Sequence, residues 1–255
     1  MAVVVTPGPI AHVVLDRPER RNALDSGSLG ELARAFRELG RLEEVHVVVV
    51  SGAGGNFCAG ADLAEVAQAD GMAGYRRYFA GVADVLAAMR SAPQPIVAAV
   101  EGYCLAGAMG LLAAADLAYA AEDARFGLPE VQVGLFPMVV LAPLSRLVPR
   151  RVLADLALSG RRLSAGEALG IGLLNAVLPS AELAGAVQAK AEELAALSPF
   201  VLGLGKEALG QVQEIALPNA LPYLQGLVSQ VAASADGQEG VRAFLEKRKP
   251  VWRGR

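Results

Sequence analysis

Apolar residues run through this chain in two rhythms. Near the start, residues 3–5 and 10–15 are strings of Val, Ile, Ala and Leu, interrupted by His12 alone and separated by Thr-Pro-Gly-Pro, which predicts an opening hairpin. Between 28 and 42, Leu29, Leu32, Ala33, Phe36 and Leu39 recur at three- and four-residue spacing. That spacing predicts an amphipathic helix, with Asp25, Ser26 or Ser28 available as its cap. The run 45–50, VHVVVV, has no polar face and predicts a strand buried on both sides.

A glycine-rich loop, SGAGGNFCAGADL, follows that strand, and a long helix is expected over 72–90, ended by Pro93 and Pro95. The same order then returns: strand PIVAAV, loop EGYCLAGA, helix MGLLAAA, strand DLAYAA. A short strand at 124–126 leads through Gly-Leu-Pro into Glu130. Helices are expected at 138–147, 151–158 and 164–169, a last strand at 174–178, and helices at 181–197, 199–213, 219–235 and 238–247. The pattern divides the chain into an α/β body over 1–195 and a helical region over 196–255. That region is short for a core of its own, so it should pack on the body or on a second subunit.

Composition narrows the classes. The chain has 255 residues, 54% of them apolar and 19% charged, enough to bury a large core and too apolar for disorder. A formal charge of −3 argues against nucleic acid as a partner. The apolar run 96–121 is long enough to span a bilayer, but it carries Glu101 and Asp116. A central charge costs at least about 2.5–3.5 kcal/mol there, so the run reads as soluble core. No basic, then apolar leader pattern opens the sequence, which breaks early at Pro7-Gly8-Pro9.

Cys58 and Cys104 are far apart in sequence and set among apolar residues, which suits free thiols in a reducing cytoplasm. His12 and His46 stand among valines in expected strands, with no metal-ligand spacing, and read as structural.

The two strand-to-helix junctions repeat each other. Phe57-Cys58-Ala59-Gly60-Ala61 answers Tyr103-Cys104-Leu105-Ala106-Gly107-Ala108, with one extra residue in the second. Small residues at a helix start leave backbone N–H groups open, and two such ends facing each other make an oxyanion hole. Close helix–sheet packing explains the same small residues. Neither loop is a phosphate loop, a dinucleotide fingerprint or a nucleophile elbow.

The segments LDRPERRNAL, GNFCAGADL, GYCLAGAMGLLAAAD, ARFGLPEVQVGLFP, LSGRRLSAGEALGIGLLNAV and FLEKRK, in this order, resemble the crotonase (enoyl-CoA hydratase/isomerase) family. The resemblance implies a spiral of ββα turns with a C-terminal helical trimerisation region, acting as a homotrimer or dimer of trimers. It implies an acyl-CoA thioester substrate, with coenzyme A part of that substrate and no separate cofactor. The oxyanion donors would be the backbone N–H groups of Ala61 and Gly107. Ala61, Asp62, Leu63 and Ala64 would lie along coenzyme A, although Ala64 stands where many relatives carry a polar residue. Arg21 and, from a neighbouring subunit, Lys247 would meet phosphates. Hydratases of this family commonly use two glutamates; the first falls at Gly110, and the second is present as Glu130. Enoyl-CoA hydration comes first on this reading, a Δ3,Δ2-enoyl-CoA isomerase using Glu130 alone second, and a non-catalytic acyl-CoA binder third.

Overall fold

The computed structural model describes residues 2–254. The opening hairpin forms as expected: β1 (Val3–Thr6) pairs antiparallel with β2 (Ile10–Leu15), Val3 opposite Leu15. Helix α1 (Ser26–Leu39) is capped by Asp25, whose carboxylate accepts the N–H and hydroxyl of Ser28. Its buried face carries Leu29, Leu32, Ala33, Phe36 and Leu39, the residues the spacing singled out.

Strand β3 (Val47–Gly52) begins two residues later than the valine run suggests, so His46 precedes it rather than lying in it, its Nδ1 3.1 Å from the carbonyl oxygen of Ala195. The buried valines of β3 serve two cores: Val48 and Val50 face one, Val47 and Val49 the other. The strand's two-residue period divides them.

From β3 onward the chain winds as a spiral. A short helix, α2 (Leu63–Ala67), and the long α3 (Gly71–Ser91) complete one turn. The next turn holds β4 (Ile96–Val100), β5 (Tyr103–Leu105) and α4 (Gly107–Ala114). The third begins with β6 (Leu117–Ala121) and β7 (Arg125–Gly127), followed by a 3-10 turn at Pro129–Val133. Then come α5 (Leu141–Leu144), α6 (Arg150–Ser159), β8 (Arg162–Ser164), α7 (Ala165–Gly170), β9 (Ala176–Leu178) and α8 (Ser180–Ala195).

Successive turns feed two sheets. The larger runs β1-β2-β3-β4-β6-β9, parallel beyond the hairpin, and the smaller runs β5-β7-β8. The main core lies between the larger sheet and α1, α3 and α4; α8 covers the other face with Leu183, Val187 and Ala191. The run 96–121 is thus two strands, a short helix and a third strand. Among the described residues, no helix is long and apolar enough to cross a membrane.

Three expectations need correcting. Residues 138–147 form no single helix: only Leu141–Leu144 is helical, because Pro143 removes a donor from the middle of that stretch. Helix α4 starts at Gly107, two residues before the predicted start, so the Gly107 amide belongs to its first turn. Strands β5 and β8 were not anticipated, since three residues are too few to show a period.

The C-terminal helices are α9 (Pro199–Val212), α10 (Leu217–Ala233) and α11 (Ala235–Leu245). Lys206 of α9 reaches into the body, its Nζ 2.8 Å from the Asp116 carboxylate and 2.9 Å from the Gln94 carbonyl. Leu209, Leu221, Phe244 and Leu245 of these helices stay exposed.

Candidate active site

The two glycine-rich loops are joined before either reaches its helix. Cys58 and Cys104 form a parallel β-bridge, with the Cys58 N–H donating to Tyr103 and the Leu105 N–H donating to Cys58. The cysteines distant in sequence are therefore neighbours, both free and fully buried, and burial holds both thiols above their ordinary range. Two residues on, Gly60 has φ +96° and lies against the second loop. A Cβ there would stand 2.6 Å from the Ala106 Cβ and 2.8 Å from the Leu105 carbonyl oxygen, so only glycine permits the approach.

Peptide planarity then orients the donors. The Gly60 carbonyl accepts the Leu24 N–H at 2.7 Å, and the Asp62 N–H donates to the Leu24 carbonyl at 2.8 Å. Because a trans peptide sets its C=O and N–H on opposite sides, the Ala61 N–H points away from Leu24. In the second loop the Ala106 carbonyl accepts the Met109 N–H within the first turn of α4. The Gly107 N–H therefore points out of the helix N-terminus, where the first amides lack intrahelical partners. Among the described residues neither the Ala61 nor the Gly107 amide donates to a backbone carbonyl. Both residues line one cavity of about 550 Å³. Between them sits Ala106 at φ 52°, ψ −122°, a conformation an L-residue rarely adopts, its N–H tied to the Gly127 carbonyl.

Glu130 enters the same cavity from the 3-10 turn after β7, which Gly134 closes in a left-handed conformation. One of its carboxylate oxygens, Oε2, is buried without a hydrogen-bond partner. Burial on a wall that also carries Leu135, Phe136 and Val139 raises its pKa to about 7, against a smaller opposing pull from its own backbone N–H. Among the described residues, Glu130 is the only carboxylate on the cavity wall. The other ionisable wall residue, Tyr78, spends its hydroxyl on the Leu24 carbonyl at 2.7 Å, and burial raises its pKa further.

Gly110 does not reach the wall. It lies one turn into α4 beneath Val140, and a Cβ on it would meet Val140 Cγ1 at 2.6 Å and Leu86 Cδ1 at 3.5 Å. The position carried from the resemblance as a second carboxylate is covered by an aliphatic side chain.

The expected binding residues separate. Leu63 lines the cavity mouth and is exposed; Ala64 is exposed but does not line it. Asp62 faces inward to the fold, accepting the Ala64 N–H and pairing with Arg17. Arg21 is exposed over the Tyr103 ring at 5.5 Å, and Arg162 sits by the same ring at 5.4 Å. The carbonyl of Arg21 accepts the N–H of Ala59, which does line the cavity. Lys247 follows α11 and does not line the cavity of its own chain. The sequence marks the stretches 70–79 and FPMVVLAPLSR as shaping the acyl pocket, and these hold the wall residues Tyr78 and Val140, but it assigns no role to either residue or to Leu24. Leu24 is the last residue of LDRPERRNAL, one of the segments that carry the resemblance.

A family model described as enoyl-CoA hydratase/isomerase matches residues 6–255. The mouse protein named enoyl-CoA hydratase domain-containing protein 3, mitochondrial, is 35% identical over 247 residues, covering 95% of this chain and 81% of the relative. Carnitinyl-CoA dehydratase of Salmonella enteritidis is 34% identical over 260 residues, covering 97% of this chain and 96% of the relative. Among solved structures, an enoyl-CoA hydratase from Mycobacterium smegmatis superposes with a TM-score of 0.96 at 32% identity, covering 99% of both chains. Human enoyl coenzyme A hydratase domain-containing protein 3 superposes with a TM-score of 0.95 at 33% identity, covering 99% of this chain and 100% of that one. With its spiral of ββα turns and its helical C-terminal region, the chain belongs to the enoyl-CoA hydratase/isomerase family.

Proposed function

We propose that the protein moves a proton on an enoyl-CoA thioester, with the Ala61 and Gly107 amides holding the enolate oxygen and Glu130 carrying the proton. The observation that carries this reading is one cavity that, among the described residues, contains two unpaired, outward-pointing amides and a single desolvated carboxylate. Charge that develops on a thioester oxygen is stabilised by fixed donors in a site poor in water. A carboxylate with a pKa near 7 is suited both to take a proton and to return it.

The geometry supports a double-bond shift best. Glu130 removes a proton from C2 of a 3-enoyl-CoA, the C3=C4 electrons shift as the C2=C3 bond forms, and the same carboxylic acid delivers the proton to C4. No second acid is needed, and the position the resemblance gives to one is Gly110, packed against Val140 with no room for a Cβ. Hydration is the second reading, supported by the hydratase and dehydratase names among the relatives. Glu130 would then deprotonate a water attacking C3 and reprotonate the enolate at C2, with one anchor for that water instead of two.

Incubation with crotonyl-CoA and with 3-hexenoyl-CoA, followed by absorbance of the conjugated thioester, separates the readings. Signal gained with the second substrate marks the shift, and signal lost with the first marks hydration; neither change in a folded protein returns the chain to a binding role. Coenzyme A is proposed to run past Ala61–Ala64 toward Arg21, with Lys247 of a neighbouring subunit completing the phosphate contacts. The exposed apolar residues of α9–α11 fit burial in a trimer or dimer of trimers, which light scattering measures.

A further inference from the structure

We infer that Tyr78 is a positioning residue for the Ala61 amide and acts on it through the Leu24 carbonyl. The inference rests on the reading of Ala61 as a donor to the substrate. Leu24 pairs with Ala61 as an isolated parallel bridge, so the segment carrying that amide is held at this point by two backbone bonds. The Leu24 N–H fixes the Gly60 carbonyl, and through the planar peptide the direction of the Ala61 N–H. The Leu24 carbonyl holds the Asp62 N–H on the other side.

That carbonyl has a second acceptor site, and the Tyr78 hydroxyl occupies it at 2.7 Å. Tyr78 sits on α3, 54 residues away in sequence, so the bond ties the bridge to the longest helix of the body. The side chain is almost fully buried, and Phe79 packs edge-on to its ring at 5.2 Å. Arg17 secures the same stretch from outside, its guanidinium 2.7 Å from the Ala23 carbonyl, 2.9 Å from Asp25 and 3.2 Å from Asp62. A hydroxyl in this cavity wall that only packed would leave its hydrogen unbonded or aim it at the open space. Here it is turned onto the backbone that aims the donor.

Tyr78→Phe deletes the hydroxyl, keeps the ring and leaves the Leu24 carbonyl bonded to Asp62. The expected result is a fall in kcat of roughly tenfold, short of the 10²–10³ that loss of a whole oxyanion donor produces. The dissociation constant for a saturated acyl-CoA and KM should stay within about twofold. The infrared C=O stretch of bound thioester, lowered by hydrogen bonding in the wild type, should move back toward its free value in the variant. Installing 3-fluorotyrosine at position 78 retains the donor and should restore both kcat and the lowered stretch. Unchanged kcat with an unchanged stretch in Tyr78→Phe overturns the inference and leaves Tyr78 a packing residue; so does weaker binding at undiminished kcat. A wild-type stretch equal to that of free thioester overturns the donor reading itself, an outcome distinct from the other two.

Discussion

Gly110 and Val140 meet with no room between them: the Cβ that any other residue would place at 110 falls 2.6 Å from Val140 Cγ1 and 3.2 Å from its Cβ. In an exposed helix, Gly→Ala gains about 1 kcal/mol from backbone propensity. Overpacking a filled core costs about 1–3 kcal/mol, so here the packing term wins. Gly110→Ala should lower stability in urea titration, and Gly110→Ala with Val140→Ala should recover much of the loss. A gain in stability from Gly110→Ala alone would show that Val140 moves aside at no cost.

Glu130 should set the pH dependence of turnover. With its pKa near 7, the fraction of free base rises tenfold per pH unit below that value and levels off above it. kcat/KM should follow the same curve, and Glu130→Gln should lower kcat about a hundredfold or more while acyl-CoA binding stays nearly unchanged. A variant with wild-type turnover removes Glu130 from the reaction.

The same carboxylate makes stability pH-dependent, with a definite sign. Its native pKa of about 7 lies above the ordinary 4.5, so the native state binds the extra proton between these values. Its favourable contribution is complete below 4.5 and is lost as pH climbs through 7. Thermal melts across that window should show the wild type losing ground to Glu130→Gln as pH rises. Parallel curves for the two proteins would contradict the burial of the carboxylate.

Gly60→Ala places a methyl group where the two loops touch, at a φ that L-residues rarely adopt. The Gly60–Ala61 peptide must shift away from Ala106, and the paired donors separate. A displacement of about 1 Å at a reacting centre costs on the order of 10²-fold in rate, so activity should fall much further than stability. Turnover measured beside circular dichroism separates the two effects.

Ala106→Gly acts in the opposite direction. Ala106 is held at φ 52°, ψ −122°, and such backbone strain typically costs about 1–3 kcal/mol. Glycine relieves it but adds freedom to the unfolded chain worth about 0.4–1 kcal/mol, so the net change should be a modest rise in Tm. A fall in Tm would show that the Ala106 methyl contributes more packing against Gly60 than its strain costs.

Much of the fold was readable because its long elements bury one consistent face. The spacing of Leu29 through Leu39 located α1, and an unbroken valine run announced a strand covered on both sides. The repeat of aromatic, Cys and Ala-Gly-Ala located both loops, because helix starts that present backbone need small side chains wherever they occur. What stayed hidden depends on partners distant in sequence. Tyr78 looks like any apolar helix position until Leu24 is placed beside it. Val140 sits in a stretch with helical hydrophobicity that Pro143 and the turn before it break up. The pairing of Cys58 with Cys104 follows from the stacking of spiral turns, which no local pattern records.

Among the described residues, more than half of the cavity wall, together with its sole carboxylate, comes from one uninterrupted piece of chain, Pro129 to Val140. The two amides come from elsewhere and are set by main-chain bonds that this piece does not make. On the proposed reading, transplanting those twelve positions from a relative would therefore exchange proton carrier and acyl recognition in a single step while the machinery for holding a charged oxygen stayed where it is.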